Sequence, residues 1–323
     1  MADLREVSVV IPSWNSVAWL PGCITALREE TIGLEILVVD NGSTDGSVAL
    51  LENEEGVRCI ALPRNVGFAA AINLGVSATT APFVFGLNVD TVVEPDCVRK
   101  LLAALKGDPS LGGVQPRIAQ LAPGGETRIG PRTRVYSRGQ ALTRDGRAYE
   151  SGAGDRWSPG IGTRAIFGVC GAAFLARREL FEPPLAGYDE RYFAFYEDVD
   201  LNLRSRIAGW NFAEVPEAIV WHRGNAGWLA GFSRPAADNA RLVARNRLAT
   251  QCKFLPVTAL PRVALVEAGS LVRAARARRL RSTLRGKFEV IAWLPDLLRE
   301  RRRLSRSGDV DRARRWLGRP TVE

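Results

Sequence analysis

Apolar residues dominate four short runs near the start of the chain: Val7–Pro12 (Val-Ser-Val-Val-Ile-Pro), Glu35–Asp40 (Glu-Ile-Leu-Val-Val-Asp), Val57–Leu62 and Phe83–Asn88. Runs this short and this continuous mark strands covered on both faces, as in a parallel sheet. Helical segments are expected between them, from about Val17 to Glu29, up to about Asn53, and over the Ala-rich stretch 69–78. Turn formers and helix caps fill the joints, most densely in Asn41-Gly42-Ser43-Thr44-Asp45-Gly46-Ser47. Strand and helix alternating at this rhythm predict an α/β fold, a doubly wound sheet flanked by helices.

The pattern weakens further along. Glu94-Pro95-Asp96 is expected to open a helix, with Pro in its first turn. Residues 107–165 are rich in Gly, Arg and Pro and predict a strand near Gly113–Ile118, then a long mobile loop or hairpin. Phe167–Arg178 reads as a small-residue turn running into a strand, with glycines that let a ligand approach the backbone. Val199, Leu203 and Ile207 recur at helical spacing and Gly209 ends that helix, while Ile219-Val220-Trp221 is a strand end. Trp210, Trp221 and Trp228 read as core residues.

Composition narrows the class. At 323 residues, 46% hydrophobic and 24% charged, the chain is an ordinary globular protein of one or two domains. Its five cysteines are odd in number and unpaired in spacing, against a disulfide framework or a zinc site and for a reducing compartment. No secretory leader and no membrane-spanning run is recognised, so a cytoplasmic protein is expected. Charge is uneven: residues 241–323 hold 21 Lys/Arg against 7 Asp/Glu, whereas the rest hold 23 against 28. A slightly acidic body carries a basic, helical tail in which apolar residues mix with arginines. Such a tail fits a membrane surface, a solvated face, or nucleic acid, although no nucleic-acid module accompanies it.

Candidate chemistry sits at the strand ends. In an open α/β sheet, ligands bind beyond the carboxyl ends of strands. The position after the first strand reads Pro-Ser-Trp-Asn-Ser, which excludes a dinucleotide fingerprint, and no phosphate-binding P-loop occurs. Asp40 and Asp90 end strands, with Asn88 one residue removed from Asp90. Asp90 is placed either to hold a divalent cation on a diphosphate or to cap a helix. Asp40 is either a ribose or base contact or a turn former. Glu197 and Asp198 lie at a helix N-terminus, where the dipole favours ionised carboxylates. His222 is the only histidine, and Arg223 beside it is a candidate phosphate partner.

Taken together, Val-Val-Ile-Pro-Ser-Trp-Asn, Val-Val-Asp-Asn-Gly-Ser-Thr-Asp-Gly-Ser, Arg-Asn-Val-Gly-Phe-Ala-Ala-Ala-Ile-Asn and Leu-Asn-Val-Asp resemble family 2 glycosyltransferases, nearest their bacterial rhamnosyltransferase-like branch. The match covers roughly residues 7–255. The resemblance implies a GT-A domain over residues 1–255, with a donor half to about 118 and an acceptor half from 119, followed by a basic extension over 256–323. It implies a nucleotide-diphosphate sugar donor and a Mg²⁺ or Mn²⁺ ion. Pro12, Trp14 and Asn15 would line the nucleotide, Asp40 would hold the base or ribose, and Arg64, Asn65 and Asn73 would lie near the donor. Asp90 would bind the metal, and His222 the metal or diphosphate. Asn88 stands where many members carry a second aspartate, which removes one negative charge from the site. Asp198 would be the base of an inverting transfer, and Glu197 an acceptor contact. The expected reaction moves a sugar, rhamnose from dTDP-rhamnose, onto a saccharide or polyprenyl-linked glycan in cell-surface polysaccharide synthesis, with the basic tail at the inner membrane face. A UDP- or GDP-sugar donor is the same-fold alternative. A non-catalytic nucleotide- or sugar-binding protein and a nucleic-acid-binding protein are the alternatives of other classes.

Overall fold

The structure, a computed structural model, describes residues 5–122, 124–224 and 236–319. The first half runs β1 (Val7–Ser13), α1 (Leu20–Arg28), β2 (Leu34–Asp40), α2 (Ser47–Glu52), β3 (Val57–Ala61), α3 (Phe68–Ser77) and β4 (Phe83–Leu87), then β5 (Thr91–Val93), α4 (Cys97–Gly107) and β6 (Leu111–Gln120). Short strands follow, β7 (Val135–Ser137), β8 (Gln140–Leu142), β9 (Ala148–Glu150) and β10 (Arg164–Ile166), then β11 (Ala173–Arg177), α5 (Glu197–Ile207) and β12 (Asn211–His222). The tail is helical: α6 (Ala236–Phe254), α7 (Leu260–Arg276), α8 (Leu280–Ser307) and α9 (Val310–Arg314).

The main sheet has the order β10-β12-β6-β11-β4-β1-β2-β3. Strands β3, β2, β1 and β4 are parallel, so Ala61, Asp40, Ser13 and Leu87 end on the same edge. β11 enters antiparallel between β4 and β6, which brings the turn before Ala173 to that edge. Both faces are covered, as the continuous apolar strands require. Val7, Val9 and Ile11 pack with Leu20, Ile24 and Leu27 of α1 and Val98, Leu101 and Leu105 of α4. Val10 and Val84 point the other way, onto Ala69, Ile72 and Val76 of α3 and Leu201 of α5.

Several expectations change. The first helix begins at Leu20 rather than Val17. Glu94 and Pro95 precede a helix that starts only at Cys97, and Asp96 occupies its cap in a left-handed conformation (φ 63°) without a side-chain cap bond. Thr91–Val93 forms β5 because β12 supplies an antiparallel partner, a long-range pairing that local pattern does not carry. Asp90 is therefore separated from α4 by a strand, and the capping reading of it falls. β6 extends beyond Gly113–Ile118 at both ends. The stretch from 119 to 165 holds four three-residue strands, including the β8–β9 hairpin. Trp221 is core, Trp210 is half-buried against the α3/α5 core, and Trp228 lies outside the described residues.

The tail packs on the body. Val290 and Leu297 of α8 are buried with Tyr192 and with Ala249 of α6. Ala313 of α9 lies with Leu142, Phe254 and Ile207. Lys253 joins three elements through its ammonium, 2.8 Å from Asp200 of α5 and 2.8 Å from Glu300 of α8. None of the described helices is long and apolar enough to cross a membrane.

Candidate active site

The loops after β1, β2 and β3 meet at the parallel edge. Asp40 is fully buried, and both its oxygens accept from Ser43, at 2.8 Å from the amide and 2.5 Å from the hydroxyl. Ser43 in turn accepts from the Asn15 amide at 2.7 Å, and the Asn15 side chain accepts from the Thr44 amide at 2.8 Å. Asp40 thus holds the loop that faces Trp14 and Asn15. Pro12 and Trp14 are half-buried beside it. Gly42, at φ +75°, lies so close to Arg64 that an added Cβ would sit 2.8 Å from the Arg64 Cα. Arg64 is exposed there, and the Asn65 side chain accepts from the Gly67 amide at 2.9 Å. Asn73 is not brought to this group. Its amide is taken up with Tyr188, donating at 2.8 Å to the carbonyl and accepting at 2.9 Å from the backbone N–H, so it docks α3 on a neighbouring turn.

A second group forms where β4 and β12 end. His222 Nε2 lies 3.1 Å from Asp90 Oδ1 and 3.3 Å from the Asn88 side-chain amide. The Asp90 carbonyl accepts from the Arg223 amide at 3.0 Å, which fixes the strand end against the loop. Burial works against the Asp90 charge, but His222 and Arg223 outweigh it and hold the carboxyl below its usual range. Asp90 is therefore ionised at neutral pH. The Tyr136 ring meets His222 edge-on, with centroids 4.4 Å apart, and His222 Nδ1 is buried without a hydrogen-bond partner. No partner on Nδ1 fixes the tautomer, so Nε2 is free to present N–H to Asp90 or a lone pair to a cation.

Among the described residues no three His, Cys, Asp or Glu side chains converge to hold a metal ion. One carboxylate, one imidazole and the Asn88 amide form a partial set. Such a set fits Mg²⁺ or Mn²⁺ when a diphosphate supplies further oxygens, since Mg²⁺ in particular is commonly held by one or two carboxylates plus substrate phosphates.

The third group lines a cavity of about 420 Å³ whose walls include Asn88, Phe68, Gly171, Glu150, Glu197 and Asp198. Asp198 Oδ2 accepts from Gln140 Nε2 at 2.7 Å and from the Gly171 amide at 3.0 Å, and Oδ1 accepts from the Val199 amide at 2.8 Å. Burial raises the Asp198 pKa, and those hydrogen bonds limit the rise. The Glu197 pKa is pushed well up, by burial first and then by the Asp198 charge. Glu197 Oε2 has no partner.

Sequence reasoning missed the residues that hold these acids. Gln140 is oriented by Asn202, whose amide donates to Gln140 Oε1 at 2.9 Å and to the Val169 carbonyl at 2.8 Å. That approach requires glycine at 168, where an added Cβ would lie 2.3 Å from the Asn202 side chain. Glu150 accepts from Ser137 at 2.6 Å, and burial raises it to about 7, with the Asp198 charge adding to the rise. Phe193, Phe195 and Tyr196, just before the acids, all have positive φ (65°, 69° and 67°). Asn246 of α6 pins them, donating to the carbonyls of Tyr192, Ala194 and Phe195 at 2.9, 2.8 and 2.7 Å. Strained backbone persists only where its surroundings over-determine it, and such residues cluster at functional sites.

Comparison with known proteins gives the family. The family described as Glycosyl transferase family 2 matches residues 8–182, more than half of the chain. The chain belongs to that family. This family 2 chain is 31% identical over 224 residues to the pre-mycofactocin glycosyltransferase of Mycobacterium tuberculosis, covering 68% of the chain and 43% of that relative. It is also 31% identical over 213 residues to N-acetylglucosaminyl-diphospho-decaprenol L-rhamnosyltransferase of the same species, covering 58% of the chain and 66% of that protein. The chain thus spans less than two thirds of the length of either. Among solved structures, the mannosyltransferase PcManGT of Pyrobaculum calidifontis, in complex with GDP-Man and Mn²⁺, superposes with a TM-score of 0.52 at 17% identity, covering 94% of this chain and 85% of that one. GalNAc-T7 with UDP, GalNAc and Mn²⁺ superposes at 0.54 and 17% identity over 74% of this chain and 48% of that one. The fold of this family 2 member is therefore GT-A, an α/β sheet flanked by helices and followed by a basic helical tail.

Proposed function

We propose that this protein is an inverting, metal-dependent glycosyltransferase that moves a sugar from a nucleotide-diphosphate donor to a saccharide or polyprenyl-linked glycan. The observation that carries the reading is Asp198, a carboxylate raised by burial, held by three donors, and facing the same cavity as Asn88 beside the Asp90–His222 pair.

In this reading the nucleoside lies against Trp14, Asn15 and the loop that Asp40 holds, and Arg64 and Arg223 face the diphosphate. Asp90 and His222, with Asn88, would hold the Mg²⁺ or Mn²⁺ ion. When bound, that ion offsets the charge growing on the leaving diphosphate. Asp198 accepts the proton of an acceptor hydroxyl while its oxygen bonds to the anomeric carbon and the bond to the diphosphate breaks. Attack from the face opposite the leaving group inverts the anomeric centre. Glu197, in the same cavity wall as Asp198, would contact the acceptor. Gln140 and Asn202 orient Asp198.

The donor proposed is dTDP-rhamnose, supported by similarity to the decaprenol-linked rhamnosyltransferase. A UDP- or GDP-sugar is the alternative, supported by the nucleotides named with the structural neighbours. The product would enter cell-surface polysaccharide. The test is nucleotide release from dTDP-rhamnose and from UDP- and GDP-sugars, with Mn²⁺ and a panel of prenyl-linked and free saccharides. Acceptor-dependent release from one donor, absent in Asp198→Asn, supports the proposal. No acceptor-dependent release from any donor counts against it.

A further inference from the structure

Of the eleven large hydrophobic side chains exposed among the described residues, eight lie between Val257 and Leu298. Four of them form one row on α8. Phe288, Ile291, Leu294 and Leu298 are 66%, 63%, 38% and 41% exposed. Their spacings of three, three and four place them on one side of the helix. The opposite side is occupied, because Val290 and Leu297 are buried against α6 and Tyr192. The outward side also carries the exposed Arg285, Arg299 and Arg302, the first two of which pair along the helix with Glu289 and Asp296 at its edge. By helical spacing Arg285 and Arg299 lie along one margin of the apolar row, and Arg302, four residues beyond Leu298, continues it.

We propose that this outward side of α8 docks on an anionic phospholipid surface, with the helix lying in the plane of the headgroups. A helix of this kind buries its apolar row at the headgroup–acyl boundary and sets its cations on lipid phosphates. Charge complementarity selects this occupant. A second copy of the chain would bring its own tail of 21 Lys/Arg against 7 Asp/Glu to the same face, a repulsive pairing. A nucleic-acid backbone would meet the arginines but give no burial to Phe288 and Ile291. The surface is separate from the cavity that holds Asp198, and its occupant does not depend on the transfer reaction.

The experiment is sedimentation of the full chain with phosphatidylcholine vesicles, with and without phosphatidylglycerol, at low and high salt. Binding is expected only with phosphatidylglycerol and is expected to weaken with salt. Phe288→Ser/Ile291→Ser is expected to lower it by about tenfold or more. Replacing Arg285, Arg299 and Arg302 by Gln is expected to cost about fivefold per arginine. All these positions are exposed, and an unchanged circular dichroism melt verifies that each variant folds. Equal binding to both vesicle types, no binding to either, or full binding by Phe288→Ser/Ile291→Ser would overturn the proposal. So would retention of a DNA duplex without vesicle binding, or a dimer in sedimentation velocity that the double variant abolishes. Nucleotide binding by the same variants keeps this result apart from the transferase reading.

Discussion

Gln140 Nε2 donates to Asp198 Oδ2 across 2.7 Å, joining a short hairpin strand to the first turn of a helix 58 positions later. The bond stabilises the ionised carboxylate, because an N–H donor favours the charged form. Gln140→Ala should therefore raise the Asp198 pKa beyond its already raised value. The acid limb of the pH–kcat profile should move to higher pH, with kcat at neutral pH lower by about tenfold. An acid limb that stays in place would assign Gln140 to structure alone.

Asp198→Asn keeps the shape of the site but removes the proton acceptor. Turnover should fall by about a hundredfold to ten-thousandfold. Nucleotide binding measured by calorimetry should be unchanged, since the proposed reaction gives Asp198 a contact with the acceptor hydroxyl and none with the nucleotide.

Glu150 supplies a pH test with a sign. Its folded pKa is raised from 4.5 to about 7, so between those values the native state binds more protons than the unfolded chain. Its contribution to stability therefore falls as pH rises through that window. Glu150→Gln should flatten this loss, read as a smaller drop in Tm from mildly acidic to neutral pH. The same change removes a negative charge beside Asp198, so the acid limb of activity should move to lower pH, opposite to Gln140→Ala.

Asn246→Ala would remove one donor from each of the carbonyls of Tyr192, Ala194 and Phe195, of which Tyr192 keeps the Arg245 guanidinium and the Ala194 amide. A cost of about 2–3 kcal/mol is expected in denaturant unfolding. Turnover should fall as well, because the segment it pins, three residues of which have positive φ, leads directly into Glu197 and Asp198.

These contacts mark the line between what the sequence carries and what it does not. Val7–Pro12 and Glu35–Asp40 could be read as strands because both faces are buried, which writes continuous apolar runs. Asp198 could be placed on a helix N-terminus because Val199, Leu203 and Ile207 keep helical spacing toward the core. Gln140, Glu150, Asn202 and Asn246 carry no local signal. The partners of Gln140, Asn202 and Asn246 lie about fifty to sixty residues away and are chosen by how the β8–β9 hairpin, α5 and α6 converge, and Glu150 bonds Ser137 thirteen residues before it. Of the three-residue strands after β6, β7 and β10 exist through pairing with distant β6 and β12, as β5 does, while β8 and β9 pair with each other. The tail read as a basic extension, yet Val290, Leu297 and Glu300 seat it on the body, and three scattered residues leave no pattern among so many arginines.

The central claim is that Asp90 and His222, through a divalent cation, hold a nucleotide diphosphate. Calorimetric titration with dTDP, UDP and GDP, each with Mn²⁺ or with EDTA, tests it on the native chain and on Asp90→Ala. The account predicts that one nucleotide binds with Mn²⁺, that EDTA removes the binding, and that Asp90→Ala weakens it by at least about tenfold. Binding that ignores both EDTA and Asp90→Ala, or no binding of any nucleotide, would contradict it.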